Sequence, residues 1–193
     1  MPFLIAGLAL FLGVHLLTTR RAARAALIER LGPLPYKGAY SLLALLGLVL
    51  IAHGFGVYRR EGPIEIWNPP LWTRHLALLL VWASFICLPA AYLPGHVRRV
   101  LKHPMLVAVK LWATAHLLAN GDLGSILLFG GFLAWAVIAR ISLKRRAETA
   151  EATAAPASAR ADAIALVLGT LAWYVFARWL HPLLIGVPVW PGT

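Results

Sequence analysis

The chain reads as all-α and membrane-embedded, a bundle of six transmembrane helices with both termini on the periplasmic side. Three observations lead there. Of 193 residues, 61% are hydrophobic and 13% charged, and the mean hydropathy of +0.77 is far above that of a soluble domain. Six apolar windows, about 2–18, 38–57, 71–93, 104–119, 123–141 and 163–184, approach or meet the roughly 17 to 25 residues a bilayer requires. Thirteen of the 18 lysines and arginines fall in alternate connections, which the positive-inside rule places in the cytoplasm. The spans use nearly all of residues 1–193, so the expectation is one membrane domain with no separate soluble one. The net charge of +11 is distributed loop by loop and not over one folded face, which makes the lipid bilayer its partner and excludes nucleic acid.

The first window carries one polar side chain of note, His15. Its basic cluster follows the apolar run and no A-x-A pattern separates them, so a retained helix is expected and not a signal peptide. The stretch RRAARAALIERLGPLP keeps helical spacing, with Ala22, Ala26 and Leu27 on one side and arginines on the other. That pattern predicts an interfacial helix ending at Gly32-Pro33. The second span is rich in small residues that allow close helix approach and ends with His53, Tyr58, Arg59 and Arg60. The loop EGPIEIWNPPLWTRH, with its prolines and tryptophans, suits an aromatic belt at the membrane surface.

His75 opens the third span, and Cys87 within it reads as a small apolar filler. A single cysteine excludes an intrachain disulfide and a cysteine-based metal cluster. The fourth span, HPMLVAVKLWATAHLLANGD, organises the chain. His103-Pro104 stands at its mouth, Lys110 midway and His116 one turn from the far end, and Asn120-Gly121-Asp122 is the closing turn. A lysine midway along an apolar helix costs a few kcal/mol, so Lys110 is expected to face a partner inside the bundle. The fifth span contains Gly130-Gly131, where a neighbouring helix or a ligand would fit. The Ala-rich stretch 147–161 predicts a flexible cytoplasmic linker, and the sixth span brings Arg178 and His181 to the outer end.

At about 1.5 Å per residue, His53, His75, His116 and His181 all fall roughly 6 Å inside the outer boundary, whereas His15 lies roughly 18 Å from it. Imidazole is a common ligand of iron, copper and zinc, and paired histidines from facing helices are how a bundle clamps a haem. Arg59, Arg60, Arg74 and Arg178 would then hold propionates, and Trp112, Trp173, Phe129 and Gly130 would shape an apolar slot. By depth, His53 or His75 stands opposite His116. No nucleophile elbow, Walker loop, H-E-x-x-H or G-x-G-x-x-G occurs.

The block from His103-Pro104 to Ala-His-Leu-Leu-Ala-Asn-Gly-Asp, with His15, the GAYSLLALLGLVLIAHGF helix and the basic first loop, resembles the NnrU family of bacterial inner-membrane proteins. That resemblance implies a multi-pass protein of the bacterial inner membrane with a role in denitrification, in connection with nitrite and nitric oxide reduction. The family is similar to zeta-carotene isomerase, a membrane enzyme that uses haem b. Carried over by position, the isomerase's haem ligands resemble His15 and His116, and His53 matches another of its histidines. Where the isomerase has a cysteine three residues before the second ligand, this chain has Ala113.

The resulting expectation is a haem b protein of nitrogen-oxide metabolism with His116 and either His53 or His15 as axial ligands, Lys110 as a buried charge and Asp122 fixing the outer turn. Three other readings stay open. A haem-dependent polyene cis-trans isomerase would follow the isomerase likeness, a small-solute or ion transporter would use Lys110 and the histidines, and an assembly factor would bind denitrification enzymes.

Overall fold

The computed structural model describes residues 1–147 and 157–190, and the described chain is helical apart from its turns and one long loop. Helix α1 (Pro2–Leu17) starts on a proline, whose missing N–H costs nothing in a first turn. It stops where Thr18 and Thr19 donate their hydroxyls to the carbonyls of His15 and Leu16, at 2.7 and 2.6 Å. The chain then turns by 91° into α2 (Arg21–Leu31), the separate basic helix that the sequence pattern predicts. Gly32, at φ +83°, ends α2 in a conformation open to glycine, and Pro33 begins α3 (Pro33–Glu61). α3 starts ahead of its apolar window because Pro33 and Pro35 both sit in the first turn.

There follow α4 (Leu71–Ala90), α5 (His96–Leu101), α6 (Pro104–Ala119), α7 (Leu123–Ala147), α8 (Ala159–Val175), a π-helical turn over Phe176–Leu180 and α9 (His181–Ile185). α7 outruns its window, with Lys144 and Arg145 in a last turn whose carbonyl dipoles favour cations. Of the expected linker, residues 148–156 lie outside the described residues, and Ala159 already begins α8.

Four helices are long and apolar enough to cross a membrane: α3, α4, α7, and α8 together with its π turn and α9. A fifth is present if the bent pair α1 and α2 counts as one span. The six windows shrink to this number because α1 and α6 are each cut to 16 residues, about 24 Å of helix against a hydrocarbon core of about 30 Å. Threonines cut the first, and His103-Pro104 and Asn120-Gly121 bound the second.

The helices pack in the order α3, α1, α7, α6, α4, α8. The ends of this row are tied at the end of the bundle that carries Met1, where the Arg59 guanidinium donates to the Ile185 carbonyl at 2.9 Å. Glycines set the tightest seams. A Cβ on Gly7 would lie 2.6 Å from the Ile51 nitrogen and one on Gly47 2.8 Å from the Phe11 nitrogen, so α1 and α3 touch backbone to backbone. α4 holds α6 through a Ser84 hydroxyl that donates to the Ala108 carbonyl at 2.8 Å, and holds α8 through a Trp82 indole that donates to Thr170 at 3.0 Å. Leu4, Leu8, Ile51, Ala113, Leu128 and Phe129 form the core between α1, α3, α6 and α7. Leu42, Leu45, Leu46 and Val49 face outward on α3, as a lipid-facing surface does.

Candidate functional site

One turn of α6 puts Trp112 and His116 on the same face, against α7. The His116 ring stacks on Phe129 at 4.4 Å and 26°, and Trp112 meets His116, Phe129 and Phe132 at 5.2, 5.0 and 5.5 Å. His116 Nδ1 lies 2.8 Å from the Trp112 carbonyl, which can only accept. The proton is therefore assigned to Nδ1, and Nε2 keeps a lone pair with no partner among the described residues, the arrangement that prepares a histidine to bind metal.

The end of α6 is secured from several sides. Asn120 donates its side-chain amide to the His116 carbonyl at 2.8 Å, and Asp122 accepts the Ser125 N–H at 2.9 Å as the cap of α7. The Ile66 and Trp67 N–H groups donate to the Gly121 carbonyl at 2.9 and 3.1 Å, and the Leu123 N–H donates to Ile64 at 2.9 Å. The buried Tyr58 hydroxyl accepts the Ile64 N–H at 2.9 Å, so the α3–α4 loop is strapped across the α6–α7 turn.

His181 repeats the pattern of His116. Its Nδ1 is 2.7 Å from the Val187 carbonyl, which leaves the Nε2 lone pair without a partner among the described residues, and it lies within electrostatic reach of His116. It follows directly on the π-helical turn, a distortion frequent at functional sites. Arg178 lies 5.8 Å above the Trp179 ring, and Arg59 reaches the same C-terminal segment through Ile185.

His15 is built in the same way in a different place. Its Nδ1 is 2.7 Å from the Phe11 carbonyl, and its ring packs on Phe11, Tyr40 and Trp135 at 4.2, 5.5 and 5.7 Å. α7 serves as a ruler, because His15 meets it at Trp135 and His116 meets it at Phe129. Those positions are about 9 Å apart along the helix axis. Phe132 lies between, 5.5 Å from both Phe11 and Trp112. Axial nitrogens on one haem iron stand about 4 Å apart, so the structure does not bring His15 and His116 together on one haem.

The four-histidine layer is likewise divided. His53 is exposed, edge-on to Phe3 of α1 at 5.4 Å, at the margin of the Gly47, Ile51, Gly54 and Tyr58 seam and not within it. His75 is exposed in the first turn of α4. His103 is the residue before α6, where burial, and after it the charges of Arg140 and Lys102, push its imidazole below the usual histidine range. Lys110 is half-buried, with no hydrogen-bond or ion-pair partner among the described residues. α6 is short enough to explain this, since Lys110 stands only about 9 Å from its Pro104 end, within reach of a flexible stem.

Of the four residues expected to shape a slot, Trp112 and Phe129 flank His116, and Gly130 has open space at its Cβ position. Trp173 joins Trp190 at 5.8 Å and lines an apolar cleft of ≈ 300 Å³ with Leu78, Leu79 and Trp82. Among the described residues, no three His, Cys, Asp or Glu side chains gather as a metal site. What this arrangement offers is single imidazoles, which suit haem because the porphyrin supplies four of the iron's ligands. Sequence reasoning missed Phe132, Tyr58 and Trp135, and gave His181 no ligand role. One signal was readable: an aromatic residue stands four positions before both His15 and His116.

The family model described as NnrU protein matches residues 3–189, nearly the whole chain, and the chain belongs to that family. No curated protein and no solved structure matches it.

Proposed function

We propose that this NnrU-family protein binds haem b in the bacterial inner membrane and serves nitrogen-oxide metabolism, and that His116 and His181 would hold the iron. The observation that carries the reading is the His116 imidazole, fixed through Nδ1 to the Trp112 carbonyl at 2.8 Å beside Phe129 and Trp112, with Nε2 unengaged among the described residues. His181 shares that tautomer and lies within electrostatic reach, and Arg59 and Arg178 are the cations available to propionates at the same end. Bound there, haem would supply one-electron chemistry. The chain's own part is to fix two imidazoles, exclude water with Trp112 and Phe129, and hold the negative propionates.

Family membership supports the nitrogen-oxide role and a physical association with nitrite or nitric oxide reductases. The apolar windows and the placement of the basic residues support six spans with both termini periplasmic, α1 and α6 being short spans inside the bundle. Polyene isomerisation is the weaker reading, because Ala113, fully buried, replaces the isomerase's cysteine. Haem content per chain, measured as the pyridine haemochrome of protein from haem-replete cells, tests the proposal. The expected value is about one haem per chain; protein without haem refutes it.

A further inference from the structure

A second site lies at the opposite end of the molecule, at the elbow between α1 and α2. A cleft of ≈ 580 Å³ is lined there by Thr19, Arg21, Ile138, Ile141, Ser142 and Arg145. Ile138, Ile141, Ser142 and Arg145 are spaced to share one face of α7, apolar toward the middle of the helix and basic toward its end. From the other side, the 91° turn after α1 presents Thr19 and Arg21 at the level where the apolar helix ends. Neither arginine has a hydrogen-bond or ion-pair partner among the described residues, and no acidic side chain lines the cleft.

We infer that this cleft binds the headgroup of an anionic phospholipid. A phosphodiester would be gripped by the two guanidinium forks, each able to donate two parallel N–H bonds. The isoleucines give the first methylenes of the acyl chains an apolar wall. Basic pockets between membrane helices at the positive side of a protein suit this class of ligand. The bent pair α1 and α2 would thereby be pinned to α7 through the lipid as well as through protein contacts.

The full-length protein in neutral detergent is titrated with dioleoyl phosphatidylglycerol or dioleoyl phosphatidylcholine, and bound lipid is counted by native mass spectrometry, with inorganic phosphate as competitor. The anionic lipid should bind at least about tenfold more tightly. Arg21→Gln with Arg145→Gln should weaken it about thirtyfold, at roughly fivefold per basic residue. Arg24→Gln with Arg30→Gln, the same charge loss further along α2, should leave it within about twofold. Should the double glutamine variant misassemble, the double lysine variant keeps the charge, loses the bidentate grip and must fall between wild type and the loss expected for glutamine. Equal binding of the two lipids, equal loss in the Arg24/Arg30 control, or displacement by phosphate at matching concentration would each overturn the proposal, the last by making the ligand free phosphate.

Discussion

Replacing Gly7 by alanine tests the seam on which the first half of the bundle is assembled. The added Cβ would stand 2.6 Å from the Ile51 nitrogen, 2.9 Å from the Gly47 oxygen and 2.9 Å from the Leu50 carbonyl carbon, all backbone atoms of α3 that no rotamer change can move. With ordinary contacts at about 3.5 to 4.0 Å, α1 and α3 must separate by about 1 Å, which forfeits a quarter to a half of the dispersion energy at each affected contact. Overpacking of this kind costs about 1–3 kcal/mol, and the helix-propensity gain of Gly→Ala, about 1 kcal/mol, offsets part of it. The net expectation is a loss of up to about 2 kcal/mol. Gly13→Ala is the control on the same helix: nothing lies within 4 Å of its Cβ position, so it should gain up to about 1 kcal/mol. Unfolding by sodium dodecyl sulfate in mixed micelles, followed by tryptophan fluorescence, would separate the two variants. Gly7→Ala equal to or more stable than Gly13→Ala would refute backbone contact at this seam.

Ser84→Ala removes the buried hydroxyl bonded to the Ala108 carbonyl at 2.8 Å and should cost about 1 kcal/mol in the same assay, within the range of interhelical bonds in membranes; an unchanged midpoint would show that this bond contributes nothing. Gly121→Ala places a methyl against the Trp67 carbonyl, so the amides of Ile66, Trp67 and Leu123 should exchange with solvent about tenfold faster or more, and unchanged protection would mean that the loop is held elsewhere. His103 is favoured in its neutral form, so its folded pKa lies below the unfolded value of about 6.5. Its stabilising contribution is complete above that value and shrinks as pH falls toward the folded pKa. His103→Gln should therefore flatten part of the stability loss as pH falls below about 6.5, by a small amount because the ring is partly solvated, and identical profiles would refute it.

The membrane class, the interfacial helix α2 and the turn at Asn120-Gly121-Asp122 were legible because they rest on local chemistry: unbroken apolar runs, arginines at helical spacing, and turn residues in succession. Span lengths were less so. Hydropathy windows do not register that threonines fold back on α1 or that Pro104 truncates α6, and a window can run past a helix end without any change in apolar character. The separate contacts of His15 and His116 along α7, at Trp135 and Phe129, are a matter of rise per residue, which is fixed. Which way His53 points depends on the face of α3 that Gly47, Ile51 and Gly54 press against α1, a choice made by long-range packing. That His181 comes within electrostatic reach of His116 depends on the C-terminal segment crossing toward Arg59, which no local pattern announces. Lys110 shows the limit of arguing from cost alone, because a short helix lets a long side chain escape where a long one would trap it.

The most direct measurement is the visible absorption spectrum of the detergent-purified protein, oxidised and dithionite-reduced, beside His116→Ala, His181→Ala and His15→Ala. Haem held by His116 and His181 predicts a Soret band with sharp reduced α and β bands that is abolished or shifted in the first two variants and unchanged in the third. A colourless protein from haem-replete cells, or a spectrum that survives the loss of His116, would contradict it.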